Sequence, residues 1–161
     1  MKADRLEFVA ASPGHVGRVA NRMREWDRLE QLAGGREPKA ALRLALRGSI
    51  WAVTALVDNV PHAMFGVMPI SEIEDRGAAW FLGSDLVYQH GRDLVRYGPA
   101  VLARMHKSYG RLENSVAVGN VQAIRLLRRW GFHIDAAPYK RGDLEFVHFW
   151  RERECAVQHC P

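Results

Sequence analysis

Cysteine is nearly missing from this chain: Cys155 and Cys160 are its only two, and both sit near the C-terminus. No disulfide framework can therefore hold the body of the fold, and a reducing compartment suits the composition. Long apolar runs are missing as well, and no window approaches the roughly 18 consecutive apolar residues that a membrane span needs. The opening MKADRLEFVAASPG has no apolar stretch behind Lys2 and Arg5, so no signal peptide is expected. There is no block of like charge either. Lys and Arg number 23 against 18 Asp and Glu, a net charge of +5, but the basic residues alternate with carboxylates in REWDRLEQ and RERE. That pattern solvates helices; it leaves nucleic-acid contact open without predicting it. The tail CAVQHC offers two thiols and His159, too few ligands on one short segment for zinc, so the expectation is free thiols and no metal.

What is present is the makings of one folded domain. The chain has 161 residues, 48% hydrophobic and 25% charged, enough for one substantial core and too short for two. The domain is expected to occupy 1–150, with 151–161 a loose tail.

LEFVAAS (6–12) alternates as a strand does, and Ser12-Pro13 is a helix start, with Ser12 the cap and Pro13 in the first turn. Apolar residues at Val16, Val19, Ala20, Met23, Trp26, Leu29 and Leu32 recur every three or four positions, predicting one helix over 16–32 stopped by Gly34-Gly35. A second helix follows Pro38 and ends near Gly48. The period then falls to two, with strands at 50–58, 62–70 and 78–87 turning at Asn59-Val60-Pro61 and at 72–77. A helix over 93–109 contains Pro99, which predicts a late start or a kink. LENSVAVG is a strand, 121–130 a helix, and 133–139 with 144–150 a last strand pair around Arg141-Gly142-Asp143. The order β-α-α-β-β-β-α-β-α-β-β predicts an α/β (α+β) fold: a mixed, mostly antiparallel sheet with helices on both faces. The crossover over 93–109 should set SDLV parallel to NSVAVGN.

In NVQAIRLLRRWGF (120–132), Asn120, Ala123, Gly131 and Phe132 match the pattern N-x-x-A-x-x-x-Y-x-x-x-G-F, with Leu127 at the Tyr position. This motif, inside this element order, resembles the GNAT acyltransferase fold. Over the second half of the chain, Trp-Phe-x-x-Ser-Asp-x-Val-aromatic (80–88), Tyr-x-x-Leu-x-Asn-x-Val-x-Val-Gly-Asn (109–120) and Ile-Arg-x-Leu (124–127) resemble the internal virion protein A family of short-tailed phages. That family is GNAT-like in fold and is associated with assembly of the virion interior.

The GNAT resemblance implies acetyl-CoA held by a loop Q/R-x-x-G-x-G/A, whose glycines let backbone N–H groups approach the pyrophosphate. Here the region reads VYQHGRDLVRYGPA, and neither Gln89 nor Arg92 starts a frame with glycines in place. Asp93 would place a carboxylate at the helix start, where the phosphates should lie. Arg92 and Arg96 remain as phosphate-binding point charges, and Asn120 as a further cofactor-binding candidate. Leu127 cannot protonate a departing thiolate as the family's Tyr does. Among the candidate bases Glu72, Glu74, Asp85, His90 and His148, Asp85 lies nearest the expected end of the fourth strand, although a Gly-Ser-Asp aspartate also reads as a turn residue.

These losses, with the phage resemblance, imply a GNAT-like domain without catalysis or cofactor, at work in building a virion core. Its partners would be other virion proteins (internal core, portal or ejection proteins), self-association being left open. Its place would be the virion interior, or the host cytoplasm during assembly. Arg125, Arg128 and Arg129, on the polar side of the 121–130 helix, are the partner-binding candidates. The alternative is an acyl-CoA-dependent N-acetyltransferase acting on a protein or small amine, with acetyl-CoA as its acyl donor.

Overall fold

A computed structural model describes residues 5–155. Its order is β1 (Leu6–Ala10), α1 (Pro13–Asn21), α2 (Glu25–Ala33), α3 (Pro38–Gly48), β2 (Trp51–Val57), β3 (Val60–Ser71) and β4 (Arg76–Gly83). Then come α4 (Asp85–Gln89), α5 (Gly91–Ser108), β5 (Arg111–Ala117), α6 (Val121–Arg129), β6 (His133–Ile134), β7 (Tyr139–Arg141) and β8 (Leu144–Glu152). One eight-stranded sheet runs β1-β2-β3-β4-β5-β8-β6, with β7 also paired to β8. Every pairing is antiparallel except β4–β5. The mixed, mostly antiparallel sheet expected from the sequence is the one observed.

Strand alternation divides the interior in two. On one face, Met64, Trp80 and Leu82 meet Val16, Val19 and Met23 from the α1 end and Leu42 and Ala45 of α3. On the other, Phe65, Val67, Val116 and Phe149 pack under Leu94, Leu102 and Met105 of α5, with Leu127 and Trp130 at the edge. The central strands β3 and β4 thus bury both faces, as helices on both sides require. Gly98 lets α5 approach the indole of Trp130, because a Cβ there would lie 1.9 Å from its Nε1. The indole N–H instead donates to Leu94 O at 3.0 Å.

Several local expectations are corrected. The single helix over 16–32 is two, broken at 22–24, where Arg24 is extended (φ −61°, ψ 154°) and its N–H donates to Gly83 O at 2.9 Å. The apolar spacing runs unbroken through this corner and contains no Gly or Pro, so nothing local announces it. The first hairpin turns on Asp58-Asn59, both at positive φ (48° and 66°), which suits a two-residue turn. Pro61 lies inside β3 beside a bulge at Ala55/Leu56. Helix α5 starts at Gly91 and continues through Pro99. The last strand pair is interrupted, so that β6 and β7 pair with different stretches of β8, which itself runs on to Glu152. Cys155 is disulfide-bonded rather than free; His159 and Cys160 lie outside the described residues.

SDLV is not a strand. Ser84 stands at the N-cap position of α4 with its hydroxyl paired to His62 Nδ1 at 2.8 Å, and Asp85 is the first helical residue. The parallel pairing of β4 with β5 falls earlier, at Arg76↔Arg111, Gly77↔Leu112 and Ala78↔Glu113, and then stops although both strands continue. The paired end is fastened by Glu113, which is buried. Arg76 Nη2 donates to its Oε1 at 2.6 Å, and Arg76 Nε and Arg111 Nε donate to its Oε2 at 3.0 and 2.9 Å.

These hydrogen bonds, Arg76 foremost, depress the Glu113 carboxyl to about 2. A depressed acid stabilises the fold above its unfolded pKa, and that contribution disappears as pH falls from about 4.5 toward 2. Glu113→Gln is expected to lose about 1–2 kcal/mol at pH 7, water around the arginines screening the rest, and to match the parent near pH 2. Denaturant melts at the two pH values measure this; an equal loss at both would show that packing, not charge, is what Glu113 supplies.

Candidate functional site

Beyond Ala78 the two parallel strands part, and the opening is a cleft of about 290 Å³. Its walls are the C-terminal half of β4, residues 114–116 of β5, the inner side of α6, Tyr88 of α4, and Asp27 and Glu30 of α2. On the β4 wall, Ala79 O accepts a hydrogen bond from Asn114 Nδ2 at 2.8 Å, and Gly83 N–H donates to Asp27 Oδ2 at 2.9 Å. By strand alternation the Phe81 N–H and C=O share that edge and face the cleft between them.

A buried polar cluster lies across the cleft's α2 side. Arg24 Nη2 donates to Asn120 Oδ1, and Asn120 Nδ2 donates to Glu30 Oε1 at 2.9 Å, which also accepts Ala117 N–H at 2.9 Å. Arg24 Nη1 lies 3.5 Å from Asp27 Oδ1, and the guanidinium sits 4.1 Å from the centre of the Tyr88 ring. Burial dominates the proton affinities. It raises the Asp27 carboxyl to about 7, although Arg24 and the Gly83 N–H pull the other way. Glu30 is also raised by burial, opposed by its bonds to Asn120 and Ala117. Tyr88 is pushed well above the ordinary phenol range, again by burial first and then by Asp27. The cleft therefore holds one carboxyl that changes charge near neutrality beside a phenol that keeps its proton.

A second cavity, about 490 Å³, opens between the start of α5 and α6. Arg92, Arg125 and Arg129 line it together with Gly91 and Gln122, and Tyr88 and Leu126 line both this groove and the cleft. Arg92 from the first turn of an 18-residue helix, with Arg125 and Arg129 from α6, supplies side-chain chemistry that suits an anion. Asp93 does not line the groove; its carboxylate lies 3.4 Å from His90 Nδ1.

The sequence candidates scatter accordingly. Arg92, named for a cofactor, and Arg125 and Arg129, named for a partner, come together in the groove. Arg96 lies over Tyr97, 5.6 Å from its ring centre and outside both cavities, and Arg128 is exposed on α6 outside both. Asn120 lines the cleft with its amide committed to Arg24 and Glu30. Asp85 is exposed at the start of α4 and does not line the cleft, although its charge reaches Asp27. Glu72 accepts the Tyr109 hydroxyl at 2.7 Å, Glu74 pairs with Arg76, and His148 sits between Glu113 and Asp135 at 3.4 and 3.2 Å. None of those three lines the cleft. Among the described residues no cluster of His, Cys, Asp and Glu could hold a metal ion, and no helix is long and apolar enough to cross a membrane.

Arg24, Asp27, Glu30 and Tyr88 are what the sequence reading passed over. A signal existed: Met23, Asp27 and Glu30 are spaced four and three apart, so the two acids continue the face of a buried Met.

No family model matches the chain, and no curated protein does. Solved structures do match. A GNAT-family acetyltransferase from Bacillus anthracis superposes with a TM-score of 0.67 at 10% identity, covering 94% of this chain and 96% of that one. A ribosomal-protein-alanine N-acetyltransferase from Brucella melitensis gives 0.65 at 14% identity, covering 91% and 99%. A GNAT-family acetyltransferase from Streptococcus pneumoniae gives 0.60 at 13%, covering 92% and 100%. The fold is a GNAT fold.

Because folding raises the Asp27 pKa from 3.8 to about 7, the folded state keeps a proton that the unfolded chain has lost. Stability from this group is complete below pH 4 and falls by about 1.4 kcal/mol per pH unit until pH 7. Asp27→Asn preserves an acceptor for Gly83 N–H and removes the titration. The variant should gain on the parent steadily between pH 4.5 and 7, as read by urea unfolding; parallel stability curves would refute a raised pKa.

Proposed function

We propose that the protein is an acyl-CoA-dependent N-acyltransferase of the N-acetyltransferase type, acting on an amine of a protein or small molecule. One observation supports this above the rest: the arginine groove and the acid-lined cleft are neighbours, with Tyr88 and Leu126 lining both. A ligand with an anionic head and a slender reactive arm fits that pair of cavities. CoA has this form: Arg92, Arg125 and Arg129 would hold its phosphates, and the cleft would take its arm. When bound it supplies an acyl group activated as a thioester.

The chain's own residues provide the remainder. The Phe81 N–H is a fixed donor on the cleft edge of β4, oriented by the sheet and needing no reorganisation to meet a carbonyl oxygen. The Asp27 carboxylate, with its pKa near 7, accepts a proton from an amine brought in along α2. Tyr88 holds its phenolic proton where cleft and groove meet, which supplies the acid that Leu127 cannot. Arg24 and Glu30, locked through Asn120, hold the α2 wall at a fixed distance from β5.

Microcalorimetry of acetyl-CoA is expected to give a Kd in the micromolar range, weakening with salt because the groove works through charge. Arg125→Ala should weaken it about tenfold, the value of one charge-assisted contact. Transfer to a peptide or polyamine should rise with pH through about 7 in the parent and be lost in Asp27→Asn. Absence of binding at millimolar acetyl-CoA would remove this reading.

That outcome would favour the second reading, in which the fold is catalytically idle and docks to other proteins of a phage virion. Its support is Leu127 at the Tyr position and the missing glycine loop. On that reading Arg128, exposed and outside both cavities, is the α6 arginine placed to meet a partner.

A further inference from the structure

Resting on the acyltransferase reading, we propose that the acyl group is longer than acetyl, about four to six carbons, with its hydrocarbon end lodged between α5 and the sheet. A separate cavity of about 80 Å³ lies there, lined by side chains that include Phe65, Val101, Met105 and Trp130. No charged residue lines it. Both of its tryptophans have their indole N–H committed, Trp130 to Leu94 O and Trp80 to Ser49 Oγ. Inward of the Tyr97 phenol, an amine, a phosphate or a water cluster would find no side-chain partner in such a space, whereas hydrocarbon is stabilised there.

The cavity is next to the reactive cleft rather than remote from it. Ala79, Phe81, Leu127, Trp130 and Phe149 line both, so the same side chains form the partition, with no further layer between. The Phe81 backbone edge that would orient a thioester therefore stands at the cavity's inner end. Leu127, an apolar side chain on that boundary, leaves a hydrocarbon passage where a phenol would present a polar atom. At the outer end Phe8 and Tyr97 meet edge-on at 5.7 Å and are 38% and 41% exposed, so the space ends near the surface.

The size sets the chain length. About 80 Å³ is roughly half the volume that admits a benzene ring in an apolar protein cavity, room for roughly three methylene groups. Two carbons in the cleft and three beyond give a five-carbon chain, and the flexible partition widens this to the stated range. Each methylene moved from water into such a site strengthens binding about fourfold.

The test is calorimetric titration of CoA, acetyl-CoA, butyryl-CoA, hexanoyl-CoA and decanoyl-CoA into the full chain, with transfer to one amine measured alongside. Butyryl-CoA is expected to bind about sixteenfold tighter than acetyl-CoA, hexanoyl-CoA tighter again, and decanoyl-CoA no tighter than hexanoyl-CoA. Val101→Phe fills the cavity from α5 without touching cleft or groove. It should bring hexanoyl-CoA back to within about threefold of acetyl-CoA and leave acetyl-CoA binding unchanged. Should that variant not fold, Val101→Ala enlarges the space and should move the optimum to a longer chain. Equal affinity for acetyl- and hexanoyl-CoA, or an optimum that ignores both Val101 variants, overturns the chain-length proposal and leaves the acyltransferase reading in place. Failure of every thioester and of CoA itself to bind overturns both.

Discussion

The cleft exists because the far end of β4 bonds to the α1–α2 corner instead of to β5. Gly83 gives its N–H to Asp27 and its C=O to the N–H of Arg24, which occupies the positions that a continuing parallel ladder would need. From the other strand, Ala117 N–H turns to Glu30. The corner thus wedges the sheet open with one acid for each lip. An open sheet edge in a protein interior would otherwise carry unpaired backbone groups at a cost of about 1–3 kcal/mol each.

The wedge is made of charged groups, and this is where structure and chemistry join. Arg24, Asp27 and Asn120 are as buried as the core. A carboxyl placed there to satisfy backbone amides is desolvated by the same placement, so its affinity for protons rises. The residue that keeps the strands apart becomes, through that burial, a base working near neutral pH. Removing it to test one role necessarily tests the other, which is why an isosteric amide is more informative than alanine.

The sequence made the architecture legible and the site only in part. Period-two runs and Gly or Pro boundaries located β2 through β5, and the helical pattern ending in Gly131-Phe132 located α6 after β5. The break at 22–24 was hidden because its cause, Gly83, is some sixty residues away along the chain, and no local residue there disfavours helix. Asp27 and Glu30 looked like the solvated face of a helix for the same reason. SDLV read as strand because Leu86 and Val87 extend the alternation, whereas Ser84-Asp85 is also a helix-start signature, and the tertiary bonds at Gly83 decided between them. The groove was half visible: Arg92, Arg125 and Arg129 were each singled out, but their meeting depends on how α5 and α6 pack, which a single chain's spacing does not reveal.

The three residue pairs joining β4 to β5 have a mechanical meaning. One unit, β1 to β4 with α1 to α3, carries the acids; the other, β5 to β8 with α6, carries two of the groove's three arginines; α5 bridges them. A seam three steps long, riveted at Glu113, closes one end of the opening. At the other end Asp27 holds Gly83 on one lip, and Glu30 holds Ala117 and Asn120 on the other. The width of the opening is therefore set from both ends, by three carboxyl side chains acting as spacers of fixed length.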